Sequence, residues 1–113
     1  MHEYSIVEAL VGRVEELARE RKATAVRGVL VSIGELSGVE PDLLATAYET
    51  FRERTVCEKA ALTILPVAAR WDCPECRQAI PRGSLLSCPR CGVPARLAAG
   101  DEIVLERVEM EVA

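Results

Sequence analysis

Apolar residues recur at three- and four-residue spacing near the start of the chain, a pattern typical of an amphipathic helix. The apolar stripe consists of Ile6, Val7, Leu10, Val11, Val14, Leu17 and Ala18. Ser5 and Glu8 fit a capping box, in which Ser5 is the N-cap and Glu8 is the third helical residue. We therefore predict a helix over about residues 5–22, with residues 1–3 directly ahead of it.

Three further segments have the composition or the alternation of β-strands. Residues 25–33 are rich in β-branched side chains, and a second strand is predicted over about 60–70. From Asp101 onward apolar and charged residues alternate, which predicts a third strand with one solvated face. Its apolar face would be formed by Val104, Val108, Met110 and Val112.

A second helix is predicted between the first two strands. A loop over residues 34–40 leads to Pro41, which suits the first turn of a helix. The apolar face of this helix would be formed by Leu44, Ala47, Tyr48 and Phe51.

The order of the elements predicts an α+β fold. Two helices and three strands make a small two-layer α/β domain with a three-stranded sheet. A cysteine-bearing segment over 71–93 separates the last two strands, so this domain would be discontinuous and comprise residues 1–70 and 94–113. Residues 71–93 would form an inserted four-cysteine zinc ribbon.

Four of the five cysteines form two Cys-x-x-Cys pairs, Cys73 with Cys76 and Cys88 with Cys91. Two tight turns of this kind can form the tetrahedral thiolate cage of a zinc site, and four thiolates leave no open coordination position, so the metal would be structural. Two disulfides or a dithiol redox centre are the rival interpretations. A reducing cytoplasm disfavours disulfides, and a redox centre normally uses a single Cys-x-x-Cys. We expect the fifth cysteine, Cys57, to be a partly buried small apolar residue.

Composition argues against several classes of function. The chain has 14 Lys and Arg against 18 Asp and Glu, a net charge of −4, and lacks the basic surface expected of a nucleic-acid-binding protein. With no long apolar run and no recognisable signal peptide, a soluble cytoplasmic protein without membrane association is expected.

We find no nucleophile–base pair and expect no enzymatic activity. Glu35 could in principle be a general base, but a loop carboxylate without a partner is expected to be solvated.

The single histidine directly follows the start methionine. The amine of Met1, together with the backbone nitrogen and the imidazole of His2, could close two adjoining chelate rings around one metal ion. Nitrogen donors arranged nearly in a plane suit Ni(II) or Cu(II) better than Mg(II) or Ca(II). Taken alone the dipeptide is a weak signal, because a histidine at a chain terminus is usually solvated.

Three motifs together resemble the HypA/HybF family of nickel metallochaperones. They are the start Met1-His2-Glu3-Tyr4-Ser5, the loop Gly34-Glu35-Leu36-Ser37-Gly38-Val39-Glu40-Pro41 and the two Cys-x-x-Cys pairs. The resemblance covers essentially the whole chain, and the N-terminal Met-His-Glu is its most specific motif. It implies a protein that carries Ni(II) for the maturation of [NiFe]-hydrogenase and, in some organisms, of urease.

The resemblance also implies a set of nickel donors. They would be the amine of Met1, the backbone nitrogen and imidazole of His2 and the backbone nitrogen of Glu3. Glu40 would place a carboxylate beside the metal, either as a ligand or as a hydrogen-bond acceptor for His2. Some relatives add another histidine, which this chain lacks, so a carboxylate, a backbone nitrogen or water would complete the shell.

The cysteine pairs indicate the cofactor, and the resemblance implies the transported ion and the partners. Zn(II) would be the structural cofactor and Ni(II) the transported ion. The expected partners are a nickel-binding GTPase of the HypB type, the hydrogenase large subunit and, in some organisms, urease accessory proteins.

The alternative interpretation is a zinc-ribbon module that binds protein or nucleic acid and has no nickel function. Such a module needs basic residues grouped on the ribbon. Between residues 72 and 92, however, Arg77, Arg82 and Arg90 are offset by Asp72 and Glu75, which leaves 3 − 2 = +1 before the thiolates are counted.

Overall fold

The computed structural model describes residues 2–83 and 85–113, and for His2 the backbone alone. In chain order the elements are α1 (His2–Glu20), β1 (Ala23–Gly34), α2 (Pro41–Phe51), β2 (Ala61–Val67), β3 (Arg70–Asp72), β4 (Ala79–Ile80), β5 (Arg96–Ala99) and β6 (Ile103–Val112). The predicted α+β class is confirmed. Neither helix within the described ranges is long and apolar enough to cross a membrane.

The central strand of the first sheet is β1, and the strand order is β2-β1-β6. β2 runs parallel to β1, whereas β6 runs antiparallel to it. A parallel pair needs a crossover connection, and α2 provides it between β1 and β2. We call these three strands, with the two helices that pack on one face of their sheet, the helix–sheet unit.

The helix–sheet unit buries one apolar core. Its fully buried side chains come from both helices and from the central strand: Val7, Val11, Val14, Val31, Leu44 and Tyr48. The Tyr48 hydroxyl donates a 2.8 Å hydrogen bond to the Ala60 carbonyl, so this buried polar atom is satisfied. Cys57 lies in the same core and is fully buried, more deeply than expected.

The start of α1 differs from the prediction. The capping box predicts a helix that begins after Ser5, but α1 begins at His2. Contacts with neighbouring elements extend the helix: Glu3 is buried and its carboxylate accepts a 3.3 Å hydrogen bond from the N–H of Glu40. The ring of Tyr4 packs edge-on against an aromatic ring of α2, with centroids 5.4 Å apart. Tertiary contacts therefore outweigh the local capping signal.

A bulge in β6 changes which side chains face the core. Leu105 and Arg107 pair with successive residues of β1, so Glu106 has no residue opposite it. Before the bulge, the extra residue exchanges the side chains that face the core with those that face away from it. Leu105 therefore packs against the core in place of Val104. Of the four residues predicted to face the core, Val108 and Met110 do so, and Val104 and Val112 are exposed.

The strand predicted over about 60–70 corresponds to β2, and only Arg70 of that range belongs to β3. β2 ends at Val67, and the chain continues as β3, the central strand of a second sheet with the order β4-β3-β5. We call this sheet, with the two cysteine turns, the cysteine ribbon. Because β5 pairs with β3, the sheet extends past residue 93 to Ala99. The division of the chain into domains stays a prediction.

The helix–sheet unit and the cysteine ribbon meet where backbone segments cross closely. A Cβ atom added at Gly34 would clash with the carbonyl group of Gly100, and one added at Gly100 would lie 2.5 Å from Cα of Ala69. Gly100 also has a φ of 104°, which L side chains rarely adopt. The N–H of Leu36 donates a 2.6 Å hydrogen bond to the Gly100 carbonyl. This junction therefore depends on glycine at both positions.

Candidate metal centres

The four predicted zinc ligands come together at one point of the cysteine ribbon. The sulfur atoms of Cys73, Cys76, Cys88 and Cys91 all lie within 4.8 Å of one another. The sulfurs of Cys76 and Cys88 are 3.8 Å apart. A Zn–S length of about 2.3 Å gives a tetrahedron with edges of about 3.8 Å, so the residues present fit Zn(II).

Each cysteine pair lies on a turn, and the two turns have matching hydrogen bonds. In the first turn the N–H of Cys76 donates to the Cys73 sulfur at 3.4 Å, and the N–H of Arg77 donates to the Cys73 carbonyl at 2.9 Å. The second turn makes the same two bonds around Cys88, at 3.4 and 2.8 Å. An N–H directed at a sulfur stabilises the thiolate that zinc requires.

The pKa values of two of the four thiols are shifted in opposite directions. The N–H of Cys76, above all, lowers the pKa of the Cys73 thiol to about 7. Hydrogen bonding with the neighbouring sulfurs, led by that of Cys76, raises the pKa of the Cys91 thiol to about 12. The Cys73 thiolate therefore forms more readily than that of Cys91, whose thiol is kept protonated by hydrogen bonds with the other sulfurs. A divalent cation bound by the sulfurs would replace that proton.

One residue distinguishes the two turns. Gly92 has a φ of 71° in the second turn, and the matching residue of the first turn, Arg77, has a φ of 60°. An L side chain in this left-handed region costs about 1–2 kcal/mol. The first turn therefore holds strain that the second lacks.

At the other predicted centre, Met1 and the side chain of His2 lie outside what the structure describes. The backbone makes His2 the first residue of α1 and puts Glu3 in its first turn. The first N–H groups of an α-helix have no intrahelical acceptor. The backbone nitrogens of His2 and Glu3 can therefore bind a metal without breaking the helix.

Glu40 lies beside this end of α1. It is the N-cap residue of α2, and its N–H donates the 3.3 Å bond to the Glu3 carboxylate. The Glu40 side chain is exposed. Because helix N-termini carry partial positive charge, the convergence of two of them opposes cation binding unless anionic groups offset it. Glu3 and Glu40 both bring carboxylates to this place.

Glu35 is not the solvated carboxylate that we expected. Its carboxylate accepts a 2.8 Å hydrogen bond from the N–H of Ala69. It also forms a bidentate ion pair with the Arg82 guanidinium, with N–O distances of 2.9 and 2.8 Å. These interactions lower the pKa of Glu35 to about 2, and the hydrogen bonds from Arg82 have the largest effect. Glu35 precedes Glu40 in the same loop, so this ion pair joins the loop beside the N-terminus of α1 to the cysteine ribbon.

Two roles are not evident from the sequence. Glu35 and Arg82 are 47 residues apart, and no local pattern relates two such positions. For Glu3, we predicted a role for the backbone nitrogen alone, whereas the structure shows its carboxylate holding the loop. The short Gly34–Glu40 motif indicated where to look but not which contacts to expect.

Comparison with known proteins identifies the family. Residues 1–110 match the family described as hydrogenase/urease nickel incorporation, metallochaperone, HypA. A hydrogenase maturation factor HypA of Aquifex aeolicus is 42% identical over 99% of this chain and 99% of its own. One of Shewanella oneidensis is 40% identical over 100% of this chain and 98% of its own.

Solved structures give the same result. The solution structure of the Ni metallochaperone HypA from Helicobacter pylori has a TM-score of 0.74 and 32% identity, with 98% of each chain covered. Another solution structure of a HypA protein has a TM-score of 0.81 and 33% identity, covering 100% of this chain and 98% of that chain. The predicted resemblance is confirmed: the chain belongs to the HypA family, whose members are nickel metallochaperones and not enzymes.

Proposed function

We propose that this protein binds Ni(II) at its N-terminus and delivers it, with a GTPase partner of the HypB type, to the large subunit of [NiFe]-hydrogenase. The proposed donors are the Met1 amine, the backbone nitrogen and imidazole of His2, and the backbone nitrogen of Glu3, with Glu40 as a nearby carboxylate. The observation that carries the proposal is the hydrogen bond between the Glu3 carboxylate and the Glu40 N–H, which holds the loop against the helix end that begins at His2.

Charge balance supports this set of donors. Two backbone nitrogens that bind Ni(II) after losing their protons supply two negative charges, which neutralise the ion. The carboxylates of Glu3 and Glu40 then offset the partial positive charge of the two helix N-termini. A site assembled from a chain terminus and backbone is weakly preorganised, so release to a partner is easy, as a carrier requires.

Metal selectivity must come from outside the site. At nitrogen donors of this kind Cu(II) binds more tightly than Ni(II), so metal supply and the partner protein have to provide the discrimination. Zn(II) in the four-cysteine site has a structural role, because four thiolates leave no position for substrate. We propose a cytoplasmic location, where the thiols stay reduced.

Nickel titration of the untagged protein tests the nickel site. In His2→Ala we expect at least a 100-fold loss of nickel affinity, with zinc retained at one ion per chain. Acetylation of the terminal amine should imitate this variant. Glu40→Gln should weaken binding by about tenfold, the scale of losses around metal sites, whereas Glu8→Gln, an exposed change on α1, should not. Full nickel affinity in His2→Ala would refute the assignment.

The pH dependence gives a second test. Nickel binding needs an unprotonated imidazole and amine, so affinity should fall as the pH drops through the imidazole range. Equal nickel affinity at pH 5 and pH 7.5 would contradict the donor set.

Delivery is tested separately from binding. We propose that the start of α1 docks on the GTPase, so that the transferred ion is shared briefly between the ligands of both proteins. Deletion of residues 1–5 should then weaken the complex and slow transfer of nickel. A complex with unchanged affinity and transfer rate would show that the docking surface is elsewhere.

Whether the protein also supplies nickel to urease is tested by measuring urease activation with and without this protein.

A further inference from the structure

The helix–sheet unit has a groove on the side of α1 that faces β6. Within the described residues two helices cover the three strands, and the core-facing residues Leu105, Val108 and Met110 of β6 are half-buried. Together with Leu17 of α1 they line a groove with a volume of about 480 Å³. The strand farthest from α2 is therefore incompletely covered on its inner face.

Arginines form the rim of this groove. Arg13 of α1 and Arg21, which directly follows the helix, lie on either side of Leu17, and Arg107 comes from β6. The N–H of Arg21 still donates to the Leu17 carbonyl, so at 1.5 Å per residue positions 13 and 21 are about 12 Å apart along the helix axis. In a chain with a net charge of −4, three arginines around one apolar groove are a local excess of positive charge.

The neighbouring carboxylates do not remove this excess. Glu106 also lines the groove and keeps its negative charge while it accepts a 2.8 Å hydrogen bond from the Ser32 hydroxyl, so the lining carries 3 − 1 = +2. Arg13 pairs with Glu16 at 3.3 Å and Arg107 with Glu109 at 3.6 Å, and all four side chains are at least half exposed. Exposed pairs contribute at most about 1 kcal/mol and exchange partners easily. The arginines therefore remain able to bind carboxylates of a partner.

We propose that this groove binds an amphipathic acidic helix of a partner protein. A helix beside α1 would continue the helical layer over β6, and its apolar stripe would cover the half-buried side chains of that strand. Carboxylates two turns apart on its flanks would match Arg13 and Arg21. The groove lies along the C-terminal half of α1, away from His2, so the proposal does not depend on the nickel site.

The test uses a fluorescein-labelled 15-residue peptide made of Leu, Ala and Glu, with Leu at every third or fourth position. Fluorescence anisotropy with the zinc-loaded protein should show saturable binding, and a scrambled peptide of the same composition should bind at least tenfold more weakly. Perturbed amide resonances in a nitrogen-15 spectrum should cluster at Arg13, Leu17 and Met110.

Matched variants distinguish binding in the groove from an effect of overall charge on peptide affinity. Arg21→Glu should weaken peptide binding at least tenfold, whereas Arg19→Glu, which makes the same charge change two residues away and outside the groove, should alter it less than twofold. Val112→Asp in the groove should also weaken binding, whereas Leu65→Asp, at a similarly exposed residue of β2, should not. Circular dichroism confirms that each variant keeps its helices.

Three results would overturn the proposal. Equal binding of the ordered and scrambled peptides would show that the groove does not select an amphipathic helix. Equal losses in Arg19→Glu and Arg21→Glu would mean that only overall charge matters. Self-association of the native protein that Arg21→Glu abolishes would identify a second copy of this chain as the occupant.

Discussion

The helix–sheet unit has a core of apolar side chains, whereas the cysteine ribbon is built around four sulfur atoms. In the first, Val7, Val14, Leu44 and Tyr48 are at most 1% exposed. In the second, Ile80 is the one buried residue, among those described, that is not a cysteine of the metal site. A unit with so little apolar burial cannot offset its conformational entropy unaided. The helix–sheet unit should therefore fold on its own, and the ribbon should need its metal.

The largest effect should come from removing zinc. Structural zinc contributes about 10–16 kcal/mol of binding free energy, more than so small a ribbon can replace. We expect a strong chelator to unfold the ribbon and leave the helices intact. Trp71, the single tryptophan of the chain, lies in β3 and reports on the ribbon by fluorescence, while far-ultraviolet circular dichroism reports on the helices. Loss of both signals together would show that the two parts fold as one.

The second effect concerns the junction between the two parts. Gly34→Ala and Gly100→Ala place a Cβ atom against backbone, and we expect each to lower the free energy of unfolding by about 2–4 kcal/mol. Gly12→Ala is the control, because apart from the backbone of α1 itself no atom lies within 4 Å of the added Cβ. This change should stabilise the protein by about 0.5–1 kcal/mol. Urea unfolding of zinc-loaded protein measures all three, and a Gly34→Ala variant as stable as the parent would mean that the crossing relaxes freely.

A smaller effect is expected from the ion pair that joins the two parts. The pKa of Glu35 is lowered to about 2 from an ordinary 4.5. A carboxyl whose pKa is lowered by folding stabilises the fold above its unfolded pKa, and that contribution is lost as the pH falls from about 4.5 toward 2. Arg82→Gln should therefore destabilise the protein at pH 7, and the difference from the parent should shrink below about pH 4.5.

Nuclear magnetic resonance can follow the Glu35 carboxyl directly. It should still be ionised at pH 4 in the parent, and its titration midpoint should rise in Arg82→Gln. Arg90→Gln, at another exposed arginine of the ribbon, should leave that midpoint where it was. An unchanged midpoint in Arg82→Gln would mean that the pair does not form in solution.

The smallest effect is expected from substitutions at the residue that differs between the two cysteine turns. Arg77→Gly removes an L side chain from a left-handed conformation, a gain of about 1–2 kcal/mol that is partly offset by the greater freedom of glycine in the unfolded chain. A net gain of about 0.5–1 kcal/mol corresponds to a two- to fivefold higher apparent zinc affinity. Gly92→Ala should shift the affinity the other way. Competition with a chromophoric zinc chelator measures both, and equal changes of the same sign would contradict the assignment of strain.

The features that the sequence predicted well are those encoded by neighbouring residues. Helical spacing located both helices, β-branched or alternating residues located β1, β2 and β6, and the paired Cys-x-x-Cys motifs located the four cysteines that cluster, because each of these signals lies within a few residues. The start of α1 and the bulge at Glu106 were missed, since they depend on contacts with Glu40 and on pairing with β1. The ion pair of Glu35 with Arg82 was missed for the same reason. Long-range contacts therefore determine how the candidate nickel site is held, although its residues could be named from the sequence.

The burial of Cys57 makes thiol counting a direct assay of the metal state. Its side chain is fully buried, and desolvation raises the pKa of its thiol, so alkylating and disulfide reagents should not reach it in the folded protein. The other four thiols are the proposed zinc ligands. Ellman's reagent should therefore detect almost no thiol in the zinc-loaded protein, four after chelation and the fifth only when the helix–sheet unit unfolds. One colorimetric titration would then report metal occupancy and the folding of both parts in the same sample.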